Sequence, residues 1–182
     1  QRLLAWGNTG QLSLAGDGNT VAFVNDAMHR PAQVYAWRLG GSAEPRALTS
    51  INAERLRDVL MHPAEDISWV GADGYTVHGL LVRPPQFRRG NRYPLLVLIH
   101  GGPQGAWLDN FHSRWNAQLF AAPGYVTVLL NPRGSTSFGQ RFTDEISKDW
   151  GGKVFIDVMA GVEHAARLPY VDSTRIAAAG GS

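Results

Sequence analysis

Apolar residues along the chain follow two rhythms, and the change between them organises the reading. In the first fifty residues they come in short alternating runs, Val21-Ala22-Phe23-Val24 and Val34-Tyr35-Ala36-Trp37, with the turn Gly16-Asp17-Gly18-Asn19 between polar stretches. Alternation with a period of two predicts antiparallel strands at 12–14, 20–24 and 33–39, with a polar loop reaching Pro31 between the last two. Strand patterns resume at 66–70 and 75–82 across Ala72-Asp73-Gly74. The next one, at 94–99, differs because Leu95 to Ile99 is unbroken aliphatic between Pro94 and Gly101-Gly102. A strand with one wet face would alternate, so this run predicts a parallel strand covered on both sides. Strands at 125–130 and 175–179 follow, separated by helices at about 112–122 and 151–167. In the second helix Val154, Val158, Gly161, Val162, Ala165 and Leu168 make one apolar stripe. Asp157 and Glu163 fall beside the stripe's centre and are expected to be solvated or capping carboxylates.

Strands alternating with helices beyond residue 65 predict an α/β fold with a doubly wound sheet. The three or four short strands before residue 50 cannot bury their own faces, and they suit the last blade of a propeller or the edge of a larger β domain. Without a second copy of the unit, any further blades are expected in chain before Gln1. Residues 50–63 form a polar, Arg-rich connector, and we divide the chain into 1–52 and 53–182.

Composition narrows the class. With 182 residues, 44% hydrophobic and 18% charged, the chain has the makings of a sizeable core and is too apolar for disorder. Its Gly 21 and Pro 10 suit strands and tight turns. A net charge of +2 is too small to imply a nucleic-acid partner, and Arg88, Arg89 and Arg92 sit in one polar loop expected to be solvated. No apolar run approaches the ~18 residues of a membrane span. Cys 0 excludes thiol chemistry and disulfides, which leaves cytoplasm and periplasm both open.

Chemistry concentrates at two strand ends. After the covered strand, His100-Gly101-Gly102-Pro103 offers a glycine pair able to take φ > 0, and Pro103 brings no N–H of its own. Such a turn can present the Gly102 N–H to an oxyanion, or it can simply be a tight turn. At the other end, Ala177-Ala178-Ala179-Gly180-Gly181-Ser182 is a small-residue strand entering Gly-x-Ser, the first half of a nucleophile elbow. No cofactor is implied: the histidines at 29, 62, 78, 100, 112 and 164 lack metal-ligand spacing, and Gly101-Gly102-Pro103-Gln104-Gly105 lacks both nucleotide-loop patterns.

Taken together, YPLLVLIHGGP (93–103), GYVTVLLNPRGS (124–135), Phe138-Gly139, Trp150-Gly151-Gly152, Asp157 and YVDSTRIAAAGGS (170–182) resemble the prolyl oligopeptidase family, most closely its acylaminoacyl-peptidase and dipeptidyl-peptidase branches. The resemblance runs in order from about Leu12 to Ser182. It implies an α/β-hydrolase peptidase domain, here its N-terminal half, behind the last strands of a β-propeller. It also implies Ser182 as nucleophile, Gly102 as oxyanion donor, and His100, Gly101 and Arg133 beside the site. Arg133 is expected to bridge loops, and His100 to orient its loop by a hydrogen bond. The substrate implied is a short peptide, and a homo-oligomer is left open. In α/β-hydrolases the acid and base follow the serine, so the triad Asp and His and the second oxyanion donor are expected in chain beyond Ser182. Residues 1–182 are therefore expected to need that segment for folding and catalysis. Rival readings are an esterase of the same fold, a non-enzymatic fragment or binding module, and triads closed within the chain by His100, Asp157 and Ser182 or by Asp73, His100 and Ser182.

Overall fold

The computed structural model describes residues 7–181, which divide into two compact units. The first comprises the chain up to Pro63 together with residues 109–116, and the second comprises residues 64–108 and those from Ala117 onward.

The first unit is a four-stranded antiparallel sheet in the order β1 (Asn8–Leu14), β2 (Thr20–Ala27), β3 (Arg30–Arg38), β4 (Arg46–Ala47). Asp17 closes the β1–β2 turn by accepting the N–H groups of Asn19 and Thr20. The loop expected up to Pro31 does not form: β2 and β3 meet across Met28-His29, and Met28 is buried. The reason is tertiary, since the Met28 N–H donates to Asp109 Oδ1 at 2.8 Å and the Phe111 N–H donates to Asp26 Oδ2 at 2.8 Å. Those bonds also hold residues 109–116 out of the helix expected from 112 onward. The segment bends instead, with the His112 Nδ1 accepting the N–H groups of Arg114 and Trp115. Residues 50–59 make successive backbone turns without a regular element.

The second unit is built on a five-stranded sheet in the order β5-β6-β8-β7-β9. Its strands are β5 (Glu65–Val70), β6 (Thr76–Val82), β7 (Tyr93–Ile99), β8 (Val126–Asn131) and β9 (Val171–Gly180). β8, β7 and β9 run parallel, whereas β6 is antiparallel to both β5 and β8, so the sheet is mixed. The helices are α1 (Ala117–Ala121), α2 (Gln140–Asp144), which the apolar pattern does not announce, and α3 (Lys153–Ala166). β8 and β9 flank β7 on opposite sides, so right-handed crossovers put α1 and α3 on opposite faces of the sheet. α3 covers the face carrying Val77, Leu81, Leu95, Val97, Val128 and Leu130. By strand alternation Leu80, Leu98 and Leu129, all buried, belong to the other face. Each such side chain contributes about 1.5–3 kcal/mol on burial.

Trp69 fixes the seat of α3. A Cβ on Gly161 would lie 2.7 Å from one atom of its ring, and one on Gly79 would lie 3.1 Å from another. The two glycines thus leave a slot that the indole fills, and its Nε1–H donates to the Asp157 carbonyl at 2.9 Å. The apolar stripe of α3 faces the sheet, but its centre also holds Asp157, which is fully buried. The expected solvated carboxylate is therefore an internal one. Glu163 is exposed and pairs with Arg167. Among the described residues no helix is long and apolar enough to cross a membrane.

Candidate active site

The loops that leave the C-terminal ends of β7 and β8 come together. β8 continues into Asn131-Pro132-Arg133-Gly134-Ser135, every residue of which is buried. Arg133 is 1% exposed, and each of its three guanidinium nitrogens donates a hydrogen bond. Its Nε donates to Asp157 Oδ2 at 3.2 Å, one terminal nitrogen to Glu145 Oε2 at 2.5 Å and the other to the Ala72 carbonyl at 2.5 Å. The flat cation also lies over the Tyr75 ring, 4.6 Å from its centroid. Asp157 accepts the Arg133 N–H at 2.9 Å on the same oxygen and the Ala72 N–H at 2.8 Å on the other. Its charge and lone pairs are thereby met, as a buried ion pair requires. Around this pair, Lys153 holds Asp73 at 2.8 Å, which pulls the Asp73 carboxyl below its ordinary pKa. Hydrogen bonds from Arg133 and Arg141 do the same to Glu145.

The turn is pinned at further points. Gly134 has φ of +100°, a Cβ there would lie 2.8 Å from Ile146, and its N–H donates to the Phe142 carbonyl at 2.9 Å. The Thr143 hydroxyl donates to the Ser135 carbonyl at 2.9 Å.

The loop after β7 leans on this turn. Asn131 grips Trp107 at both backbone groups, accepting its N–H at 2.7 Å and donating to its carbonyl at 2.9 Å. The Thr136 N–H donates to the Gly105 carbonyl at 2.8 Å. The His100 Nε2 lies 2.9 Å from Ser135 Oγ, its Nδ1 lies 2.9 Å from the Gly101 carbonyl, and its ring meets Trp107 edge-on. Ser135 has one hydroxyl proton, and Pro132 O is 2.7 Å away to take it. The hydroxyl can donate to that carbonyl and accept from a protonated Nε2, or donate to a bare Nε2 while Nδ1–H donates to the Gly101 carbonyl, so either neutral tautomer of His100 ties its loop to the turn.

Gly102 sits between these ties with φ of +131°, and a Cβ on it would fall 2.8 Å from the Gln104 nitrogen. Both facts demand glycine. Among the described residues its N–H meets no acceptor. Of the expected site residues, His100, Gly101 and Gly102 thus occupy one loop, and Arg133 supports the neighbouring turn from beneath. Ser182 lies outside the described residues. Its approach is described: β9 pairs with β7 in the register Ile99↔Gly180. A Cβ on Gly180 would lie 2.6 Å from the Ile99 carbonyl, whereas Ala177 and Ala178 are exposed, so crowding explains the small residue at Gly180 alone. The triads closed within the chain find no geometric support, because His100 bonds Ser135, Asp157 bonds Arg133 and Ala72, and Asp73 bonds Lys153.

Residues 131–135 and Asp157 are among those that carry the family resemblance, but the partners that Asn131, Ser135 and Asp157 take were not legible in the sequence. For Asn131 and Ser135 the available hint was polar residues following the apolar run Val128-Leu129-Leu130, a pattern that calls for partners once buried.

Residues 111–182 match the family model described as the prolyl oligopeptidase family. The chain is 46% identical over 119 residues to dipeptidyl-peptidase 5 of Schizosaccharomyces pombe, covering 65% of this chain and 17% of that protein. It is 49% identical over 107 residues to the probable dipeptidyl-peptidase 5 of Aspergillus clavatus, covering 58% and 15% respectively. Among solved structures, the acylaminoacyl peptidase of Pyrococcus horikoshii superposes with a TM-score of 0.79 at 26% identity, covering 94% of this chain and 27% of that one. The chain therefore spans about a sixth of the length of the curated relatives it matches. The glycine loop after β7, the buried turn after β8 and these likenesses agree: residues 111–182 belong with the prolyl oligopeptidase family, and the chain as a whole is similar to the dipeptidyl-peptidases and the acylaminoacyl peptidase above.

Proposed function

We propose that the intact protein is a serine peptidase that cleaves short peptides through an acyl-enzyme on Ser182. The observation that carries this reading is the Ile99↔Gly180 register. The His-Gly-Gly-Pro loop and the Gly-Gly-Ser end follow the same ends of two adjacent parallel strands, where ligands gather in open α/β sheets. In this reading the Ser182 hydroxyl attacks the peptide carbonyl, whose oxygen takes up negative charge. The Gly102 N–H, free of other acceptors and held by a φ that only glycine tolerates, donates to that oxygen. His100 keeps the loop in place from Ser135 and touches no reacting atom.

The order β5-β6-β8-β7-β9, with antiparallel first strands, suits an α/β-hydrolase domain that continues past residue 182. The four-stranded sheet before Pro63 suits the end of a β-propeller. The triad Asp and His, and the second oxyanion donor, then belong to the following chain. Relatives named dipeptidyl-peptidase 5 favour release of dipeptides from a peptide's N-terminus. The upstream sheet disfavours a simple esterase.

Fluorophosphonate labelling of the full-length protein tests the nucleophile. One adduct on Ser182, lost in Ser182→Ala together with hydrolysis of a dipeptide 4-nitroanilide, is expected. Labelling unchanged in that variant refutes the assignment.

A further inference from the structure

An oxyanion donor works only if its N–H stays within a few tenths of an ångström of the developing charge, and misplacement by about 1 Å can cost a hundredfold in rate. Residues 100–107 contain no helix or strand, so something outside the loop must supply that precision.

The ties are unevenly spread. The loop starts at His100, whose ring reaches Ser135, and ends at Trp107, whose backbone is gripped by Asn131. Gly102 lies between them. Asn131 is 3% exposed and the last residue of β8, and its carboxamide takes the place of a strand neighbour by both accepting from Trp107 and donating to it. Of short side chains, only an amide offers an acceptor and a donor in one plane, and a carboxylate of the same shape can only accept. Ser135, with no exposure, links His100 to the Pro132 carbonyl. Behind these residues the turn is fastened to α3 through Asp157 and to α2 through Phe142 and Thr143.

We infer that Asn131 and Ser135 are positioning residues that clamp the two ends of the oxyanion loop and thereby set the place of the Gly102 N–H. The inference rests on the donor role read for Gly102 above. Neither residue is given a contact with substrate; each acts through the loop. Asn131→Ala removes both side-chain hydrogen bonds to the Trp107 backbone, and Ser135→Ala removes the tie between His100 and the turn.

The test uses the full-length protein and three readouts: kcat per site titrated with fluorophosphonate, KM for a dipeptide 4-nitroanilide, and Ki for a dipeptide boronic acid, which forms a tetrahedral adduct. Displacing a donor that acts only in the transition state lowers kcat and leaves KM in place. Asn131→Ala is expected to lower titrated kcat by about tenfold to a hundredfold and to raise the boronate Ki by a similar factor. Asn131→Asp should behave alike, because it cannot donate to the Trp107 carbonyl. Ser135→Ala should show a smaller loss of the same kind, restored in part by Ser135→Thr, and it carries the test if Asn131→Ala does not fold. A purely structural role would lower the fraction of titratable sites and leave kcat per site and boronate Ki as in wild type, and that result overturns the inference. Failure of the underlying reading looks different: the wild-type protein itself would then give no Ser182 adduct.

Discussion

Replacing Asp157 with alanine tests whether the buried ion pair holds the site's framework. Asp157 is fully buried and accepts the N–H groups of Ala72 at 2.8 Å and Arg133 at 2.9 Å, besides the Arg133 Nε at 3.2 Å. Its removal leaves a guanidinium that is 1% exposed with less than its full set of acceptors, and it orphans two amides. Removing one partner of a buried pair costs about 3–5 kcal/mol, a range that includes groups left unpaired. Against a typical stability of about 5–15 kcal/mol, that is a large share. The cost should be specific to the unmatched charge. In Arg133→Met combined with Asp157→Leu neither charge remains, and Glu145 keeps Arg141 at 2.9 Å and Lys153 at 3.6 Å. The double variant should then be more stable than the sum of the singles requires, by at least about 2 kcal/mol of coupling. The assay is urea unfolding of the full-length protein, with hydrogen exchange followed in the peptides that carry Ala72 and Arg133. A loss below about 1 kcal/mol in Asp157→Ala, or strict additivity in the double variant, refutes the reasoning.

Gly102→Ala places a Cβ against the Gln104 nitrogen at a φ of +131°, so the loop must move. Turnover of the full-length protein is expected to fall by about 10²–10³, with the unfolding midpoint little changed, and wild-type kcat in a folded variant would remove Gly102 from the mechanism. Asp172 accepts hydrogen bonds from the Thr174 hydroxyl, Arg175 and the Thr174 N–H, which lower its pKa from 3.8 to about 2. A depressed carboxylate pKa contributes stability that is fully present above the unfolded value and lost as pH falls through the folded one, so this contribution should fade between pH 3.8 and about 2. Carbon-13 NMR of the Asp172 carboxyl should show a midpoint near the lower value, rising towards 3.8 in a Thr174→Ala, Arg175→Ala double variant; an ordinary midpoint in the unsubstituted protein contradicts the geometry.

Local periodicity was enough to find most of the elements. The aliphatic run of β7, the alternation in β2 and β3, and the stripe on α3 are patterns confined to a few consecutive turns or pleats, so the chain displays them without knowledge of its fold. The glycine after β7 was legible for the same reason, because an unusual φ is a property of one residue. Long-range pairing was invisible. The Asp157 side chain meets Ala72, 85 residues away, and nothing in the helix period separates a buried carboxylate on the apolar stripe from a solvated one beside it. The missing first turn of the helix expected at 112 has the same origin, since Asp26, 85 residues earlier, takes the Phe111 N–H. Asn131 and Ser135 read as ordinary turn residues until the folded chain brings Trp107 and His100 against them. Sequence by itself therefore determined most of the strands, the long helix α3 and the place of the glycine pair after the covered strand. The tertiary structure alone decided which polar groups are buried and with whom they pair, because a buried donor or acceptor takes whatever partner the fold delivers, at whatever distance along the chain.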